Sequence, residues 1–93
     1  MSPIGRLQAW YARQCDGDWE YQYGVTIETS DAPGWEVIVD LTDTDLKGVA
    51  YTPVDENGLR CRVEKHKWKG TGDPLQLERL IEEFLSWAEE HGR

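Results

Sequence analysis

Residues 21–41 read YQYGVTIETSDAPGWEVIVDL, and the period of that stretch decides the fold. Tyr21, Tyr23, Val25, Ile27 and Thr29 alternate with Gln22, Gly24, Thr26 and Glu28, the two-residue repeat of a strand that buries one face. Ser30-Asp31-Ala32-Pro33-Gly34 then places proline and glycine where a chain reverses. Trp35, Val37, Val39 and Leu41 resume the alternation against Glu36, Ile38 and Asp40. The stretch predicts a β-hairpin with one apolar face.

Working outward toward the C-terminus, Thr42 to Gly48 reads as polar loop and Val49 to Val54 as a short strand. Asp55-Glu56-Asn57-Gly58 carries the Asn-Gly signal of a tight turn. A strand from Leu59 puts Leu59, Cys61 and Val63 on one face and Arg60, Arg62 and Glu64 on the other, turning Cys61 toward the core, and Lys67-Trp68-Lys69 extends or follows it. Gly70-Thr71-Gly72 is expected to break the sheet. Asp73, Pro74 and Gln76 then give an N-cap, a first-turn proline and a capping-box glutamine. In the helix that follows, Leu77, Leu80, Ile81, Phe84 and Ala88 form a core stripe, Glu78, Glu82, Glu83, Glu89 and Glu90 face water, and Gly92 is the stop.

Toward the N-terminus, Ser2-Pro3 starts a helix over residues 3–14, with Ile4, Leu7, Trp10 and Tyr11 at helical spacing and Asp16-Gly17-Asp18 ending it. The order is helix, about four strands, helix. Short turns favour an antiparallel meander, so the predicted class is α+β: a two-layer domain with the N-terminal and C-terminal helices packed on one face.

At 93 residues the chain forms one domain, and five Trp and four Tyr supply much of its apolar surface. Eighteen acidic against ten basic residues give a net charge of −8, which repels phosphate backbones and anionic lipid, so direct nucleic-acid and membrane-surface binding are disfavoured. The sequence shows neither an apolar run of the roughly 20 residues that span a bilayer nor a secretory h-region, so the expected location is cytoplasmic. Cys15 and Cys61 form no CxxC pair and are expected as reduced thiols. Charge is segregated. Residues 16–56 carry eleven carboxylates against the single Lys47, whereas residues 59–69 carry Arg60, Arg62, Lys65, Lys67 and Lys69 against Glu64. An acidic surface offered to a basic partner and a sheet whose basic strand neutralises an acidic neighbour both give this pattern.

The chemistry-bearing residues do not assemble a catalytic motif. Cys15-Asp16-Gly17-Asp18-Trp19-Glu20 and Asp43-Thr44-Asp45 lack the spacing of a calcium loop, and neighbouring carboxylates deplete the thiolate that Cys15 would need as a nucleophile. His66 and His91 have no positioned partner in the sequence, and Lys69-Gly70-Thr71-Gly72-Asp73 lacks the spacing of a phosphate loop. No cofactor and no metal are expected. Of the tryptophans, Trp10 reads as core, while Trp19 and Trp35 are possible interface anchors.

Leu7 through Gly24, LQAWYARQCDGDWEYQYG, followed by Ile27-Glu28-Thr29, Pro33-Gly34-Trp35, Asp40-Leu41-Thr42 and Gly70-Thr71-Gly72-Asp73, resembles the immunity protein 53 family of bacterial polymorphic toxin systems. The resemblance implies a non-catalytic inhibitor whose partner is a cognate toxin domain, bound so that its active site is occluded. An acidic surface suits a basic nuclease cleft. Asp16, Asp18, Trp19, Glu20, Glu36, Asp43 and Asp45 are the candidate contacts, with a structural role at the helix-to-strand junction open for Asp18, Trp19 and Glu20. Two readings from other classes stand beside it: a small sulfurtransferase-like enzyme using Cys15, and an acidic adaptor for a basic protein segment. Nothing in the pattern sets an oligomeric state.

Overall fold

The computed structural model describes residues 1–91. Helix α1 spans Pro3–Gln14, and its start is set as the sequence requires, with the Ser2 hydroxyl accepting from the Gly5 N–H at 3.1 Å and proline in the first turn. A single turn of helix, α2, covers Trp19–Gln22. Strands β1 (Val25–Ser30), β2 (Gly34–Asp40), β3 (Val54–Glu56), β4 (Leu59–Glu64) and β5 (Lys67–Gly72) follow, and helix α3 runs over Leu77–His91. The expected Gly92 stop lies outside the described residues.

The α+β class stands, with five strands in one antiparallel sheet of order β1-β2-β5-β4-β3. A hairpin and a three-strand meander build it. Ser30–Gly34 closes β1 on β2, with the Ala32–Pro33 peptide cis, and two-residue turns at Asn57-Gly58 and Lys65-His66, all four residues at positive φ, fold β3, β4 and β5 into a three-strand meander. The connection over 41–53 carries the chain from β2 to the far edge, so β5 returns to pair with β2 and the order is not that of one continuous meander.

Three local expectations are corrected. Tyr21 belongs to α2 rather than to a strand, because side-chain bonds to the amides of residues 16–19 turn the chain helically there. Residues 49–53 are irregular, and only Val54–Glu56 pairs as a strand. Gly70-Thr71-Gly72 continues β5 instead of breaking it. A Cβ at Gly70 would lie 2.6 Å from the Trp68 ring and 2.9 Å from Leu80 Cδ2, so glycine here lets α3 settle onto the sheet. The Asp73–Gln76 exchange forms one turn ahead of α3, with Gln76 Oε1 accepting from the Asp73 N–H and Asp73 Oδ1 accepting from the Leu75 N–H, each at 2.9 Å.

One face of the sheet, carrying Val37, Val39, Leu59, Cys61 and Trp68, is buried under the helices. Leu80, Ile81, Phe84, Leu85, Trp87 and Ala88 meet it from α3, and Leu7 and Trp10 from α1. Fully buried Phe84 joins the layers, with its ring centroid 5.4 Å from Trp68 and 5.0 Å from Trp10, both edge-on. Arg6 ties α1 to α3. It grips both oxygens of Glu82 at 2.9 and 3.0 Å and both of Glu89 at 2.6 and 3.0 Å, bonds that raise the arginine's pKa and hold Glu89 below the ordinary carboxylate range.

Candidate functional site

The segment between α1 and β1 is held by its own acids. Asp16 Oδ1 accepts from the N–H groups of Asp18 (2.9 Å) and Trp19 (3.0 Å), and these backbone donors hold the Asp16 carboxyl below its ordinary pKa. Glu20 reaches back to accept from the Asp16 and Gly17 N–H groups, each at 2.9 Å. Trp19 is 3% exposed; its ring lies edge-on to Trp10 at 6.2 Å and Tyr11 at 5.9 Å, and its Nε1–H donates to the Thr42 carbonyl at 2.8 Å. That last bond ties the 15–18 loop to the 42–48 loop and brings two acidic segments to one end of the molecule.

The seven candidate residues therefore divide. Trp19 fills the junction instead of being presented, because its indole is consumed by ring packing and one carbonyl. Asp16 and Glu20 use their carboxylates on loop amides. Asp18, Asp43 and Asp45 are exposed, and among the described residues they take no ion pair. Glu36 is not with them. It sits on the face of β2 that the helices leave open.

That open face carries Thr26, Glu28 and Ser30 on β1, Glu36, Ile38 and Asp40 on β2, Lys67, Lys69 and Thr71 on β5, and Arg60, Arg62 and Glu64 on β4. Its basic half is largely paired: Lys69 with Glu64 at 3.1 Å, Arg62 with Glu64 at 3.5 Å, Arg60 with Asp55 at 3.4 Å and Lys67 with Asp40 at 3.7 Å. Glu28 and Glu36 stand directly opposite each other, like charges with no ion pair among the described residues. Sequence reasoning did not single out Glu28. The signal was present, since a hairpin centred on Ala32 puts residues 28 and 36 in register.

Beyond β1 on the helix side, Ile4, Leu7, Gln8 and Tyr11 of α1 and Gly24, Val25 and Ile27 line an open, mostly apolar groove of about 370 Å³. Its exposed side chains include Ile4 at 50% and Ile27 at 38%, and Tyr11, packed on Trp19, connects the groove to the acidic end.

The remaining reactive groups are two thiols and two imidazoles. Cys15 closes α1 as its C-cap, exposed, with its Sγ 3.4 Å from the Tyr11 carbonyl. Cys61 is buried as expected, and burial pushes its thiol up to about 11. His91 lies 3.3 Å from Glu90 on the exposed end of α3, and His66 occupies a turn. Among the described residues no three His, Cys, Asp or Glu side chains gather as metal ligands, and no helix is long and apolar enough to cross a membrane.

Neither the curated proteins nor the solved structures give a match to this chain. The family model described as immunity protein 53 matches residues 4–89, which takes in the acidic junction, all five strands and nearly all of α3. A match of that extent covers every element that builds the surfaces above, and the chain belongs to the immunity protein 53 family.

Proposed function

We propose that this protein neutralises a cognate toxin domain of a polymorphic toxin system by binding it in the cytoplasm of the producing cell and covering its active site, without catalysis of its own. The single observation that carries the reading is the family match over residues 4–89. The geometry supports it from the other side: Asp18, Asp43 and Asp45 are solvated and, among the described residues, take no ion pair at an end fixed by the Trp19–Thr42 bond, so they meet a partner with little reorganisation. Such a surface complements a basic cleft, the kind a nuclease uses to hold its substrate, and steers the encounter of the two proteins. Cys15 caps the C-terminal end of α1, away from the backbone N–H donors of a helix start that a sulfur-transfer cysteine uses.

The test is a rescue assay. The toxic domain encoded beside this gene is expressed in a laboratory host with this protein, with an Asp18→Lys/Asp45→Lys variant, or with an unrelated acidic protein. Survival with the wild type alone is expected, with the variant rescuing poorly while melting at the wild-type temperature. Survival with the unrelated protein, or full rescue by the variant, sinks the electrostatic reading; death with the wild type sinks immunity toward that toxin.

A further inference from the structure

β1 is an edge strand whose outer ladder is free. The Asp40 N–H donates to the Gly24 carbonyl at 3.0 Å, which makes 24/40 a hydrogen-bonded pair; by two-residue alternation Thr26, Glu28 and Ser30 bond to β2, and Val25, Ile27 and Thr29 direct N–H and C=O away from the sheet. The edge is six residues long and carries no proline, lysine or bulge of the kind that blocks strand addition. Its two flanks differ in chemistry. On the helix side lies the groove of Ile4, Leu7, Tyr11, Val25 and Ile27, and on the open side lies Glu28 opposite Glu36.

We infer that β1 accepts an extended segment of the toxin as a sixth strand, one in which apolar residues that enter the groove alternate with lysines or arginines that settle beside Glu28 and Glu36. A strand added to β1 puts alternate side chains on opposite faces, so the residue facing Ile27 enters the groove and the residue facing Glu28 lies on the open face. A cation there gives the Glu28–Glu36 pair the counter-charge it lacks. Charge also selects between occupants. A second copy of this chain brings another net charge of −8 and its own Glu28 to the seam, whereas a basic segment is complementary on approach and in place. The inference rests on the toxin-binding reading and names its mode.

Amide exchange followed by NMR tests it, on the free protein and on its complex with the toxin domain of the rescue assay. The Val25, Ile27 and Thr29 amides are expected to exchange quickly in the free protein and to be protected at least tenfold in the complex, while the Asp55 amide on the opposite edge is unchanged. Thr29→Pro, which removes an outward N–H that β2 does not use, is expected to weaken binding at least tenfold and leave the melting temperature within a few degrees. Tight binding with those three amides still exchanging freely overturns strand addition and leaves toxin binding intact. Protection that grows with protein concentration in the absence of toxin assigns the edge to a second copy and also overturns it. A wild type that neither binds nor rescues removes both readings together.

Discussion

The two margins of the sheet are built to opposite ends. At the β3 margin the strand is three residues long, Pro53 precedes it without an N–H, and the tight Asn57-Gly58 turn leaves Asp55 as the one β3 residue with both backbone groups outward. Aromatic rings pack under that margin, and openings of about 350 and 260 Å³ remain on either side of Val54. Tyr51 packs edge-on between Trp87 at 5.1 Å and Trp68 at 6.4 Å, and Trp87 Nε1 donates to the Ala50 carbonyl at 2.9 Å. At the β1 margin three residues offer free ladder groups and the space beneath is a groove. The margins differ in what backs them, rings at β3 and an apolar groove at β1, and in how much free ladder they offer. Irregular backbone therefore does structural work at 49–53, while a regular strand at 25–30 contributes less to the core.

The largest expected effect separates the margins by stability. Tyr51→Ala removes a ring wedged between two indoles and should cost about 3 kcal/mol, whereas Ile27→Ala, on a side chain 38% exposed, should cost under about 1 kcal/mol. Urea unfolding midpoints of the two variants check this. Equal losses would mean that the groove side chains are part of the core and that the contrast is mistaken.

Alkaline titration sharpens the same contrast. Burial pushes Tyr51 up to about 12 from 10 and Cys61 up to about 11 from 9. Both groups are neutral in the fold, so their contribution is complete below the unfolded values and is lost as pH rises, over roughly 9–11 for Cys61 and 10–12 for Tyr51. Tyr51→Phe keeps the ring and deletes a buried hydroxyl that lies beside Trp68 and Cys61 and, among the described residues, makes no well-formed hydrogen bond. It should gain about 1 kcal/mol at neutral pH and flatten the upper part of the alkaline decline. Urea midpoints across pH 8–12 check it, and an unchanged alkaline limb would show that the Tyr51 margin opens before it titrates.

Much of this architecture is legible in the residues, and what is not has a physical cause. Ser2-Pro3 marks the start of α1, and the two-residue alternation gives the faces of β1 and β2, because these depend on neighbours a few positions away. The strand order depends on where the aperiodic 41–53 connection goes, which local pattern does not encode. Lys65-His66 turns at positive φ without glycine or asparagine to announce it, so local pattern does not mark the boundary between β4 and β5. Gly70 read as a break because glycine signals a turn and a close approach alike, and only Leu80, ten residues on, decides between them. At the candidate site the acids were visible as charge. Their grouping rests on the bond from Trp19 to Thr42, 23 residues apart, and the groove is lined from two elements, α1 and β1, that are separated in sequence.

The smallest expected effect is the most discriminating, because it predicts opposite signs for folding and for binding. Glu28→Lys replaces a like-charge pair with an opposite-charge pair across β1 and β2, so it should stabilise the free protein by about 0.2–1 kcal/mol at low ionic strength. The gain should fade as salt screens an exposed pair. The same change puts a cation where the partner's cation is expected to sit, so toxin binding should weaken. Asp55→Asn is the control at the other margin: it discards an exposed pair to Arg60 at 3.4 Å, which is worth little, without setting like charges opposite each other, and should leave both stability and binding nearly unchanged. Melting temperatures at low and high salt, with titration against the toxin domain, read out both quantities. A residue that merely decorates the surface changes neither, and one that serves the fold changes both in the same direction. A stabilised protein that binds worse is the signature of charge held unfavourably in the free state for a partner to neutralise.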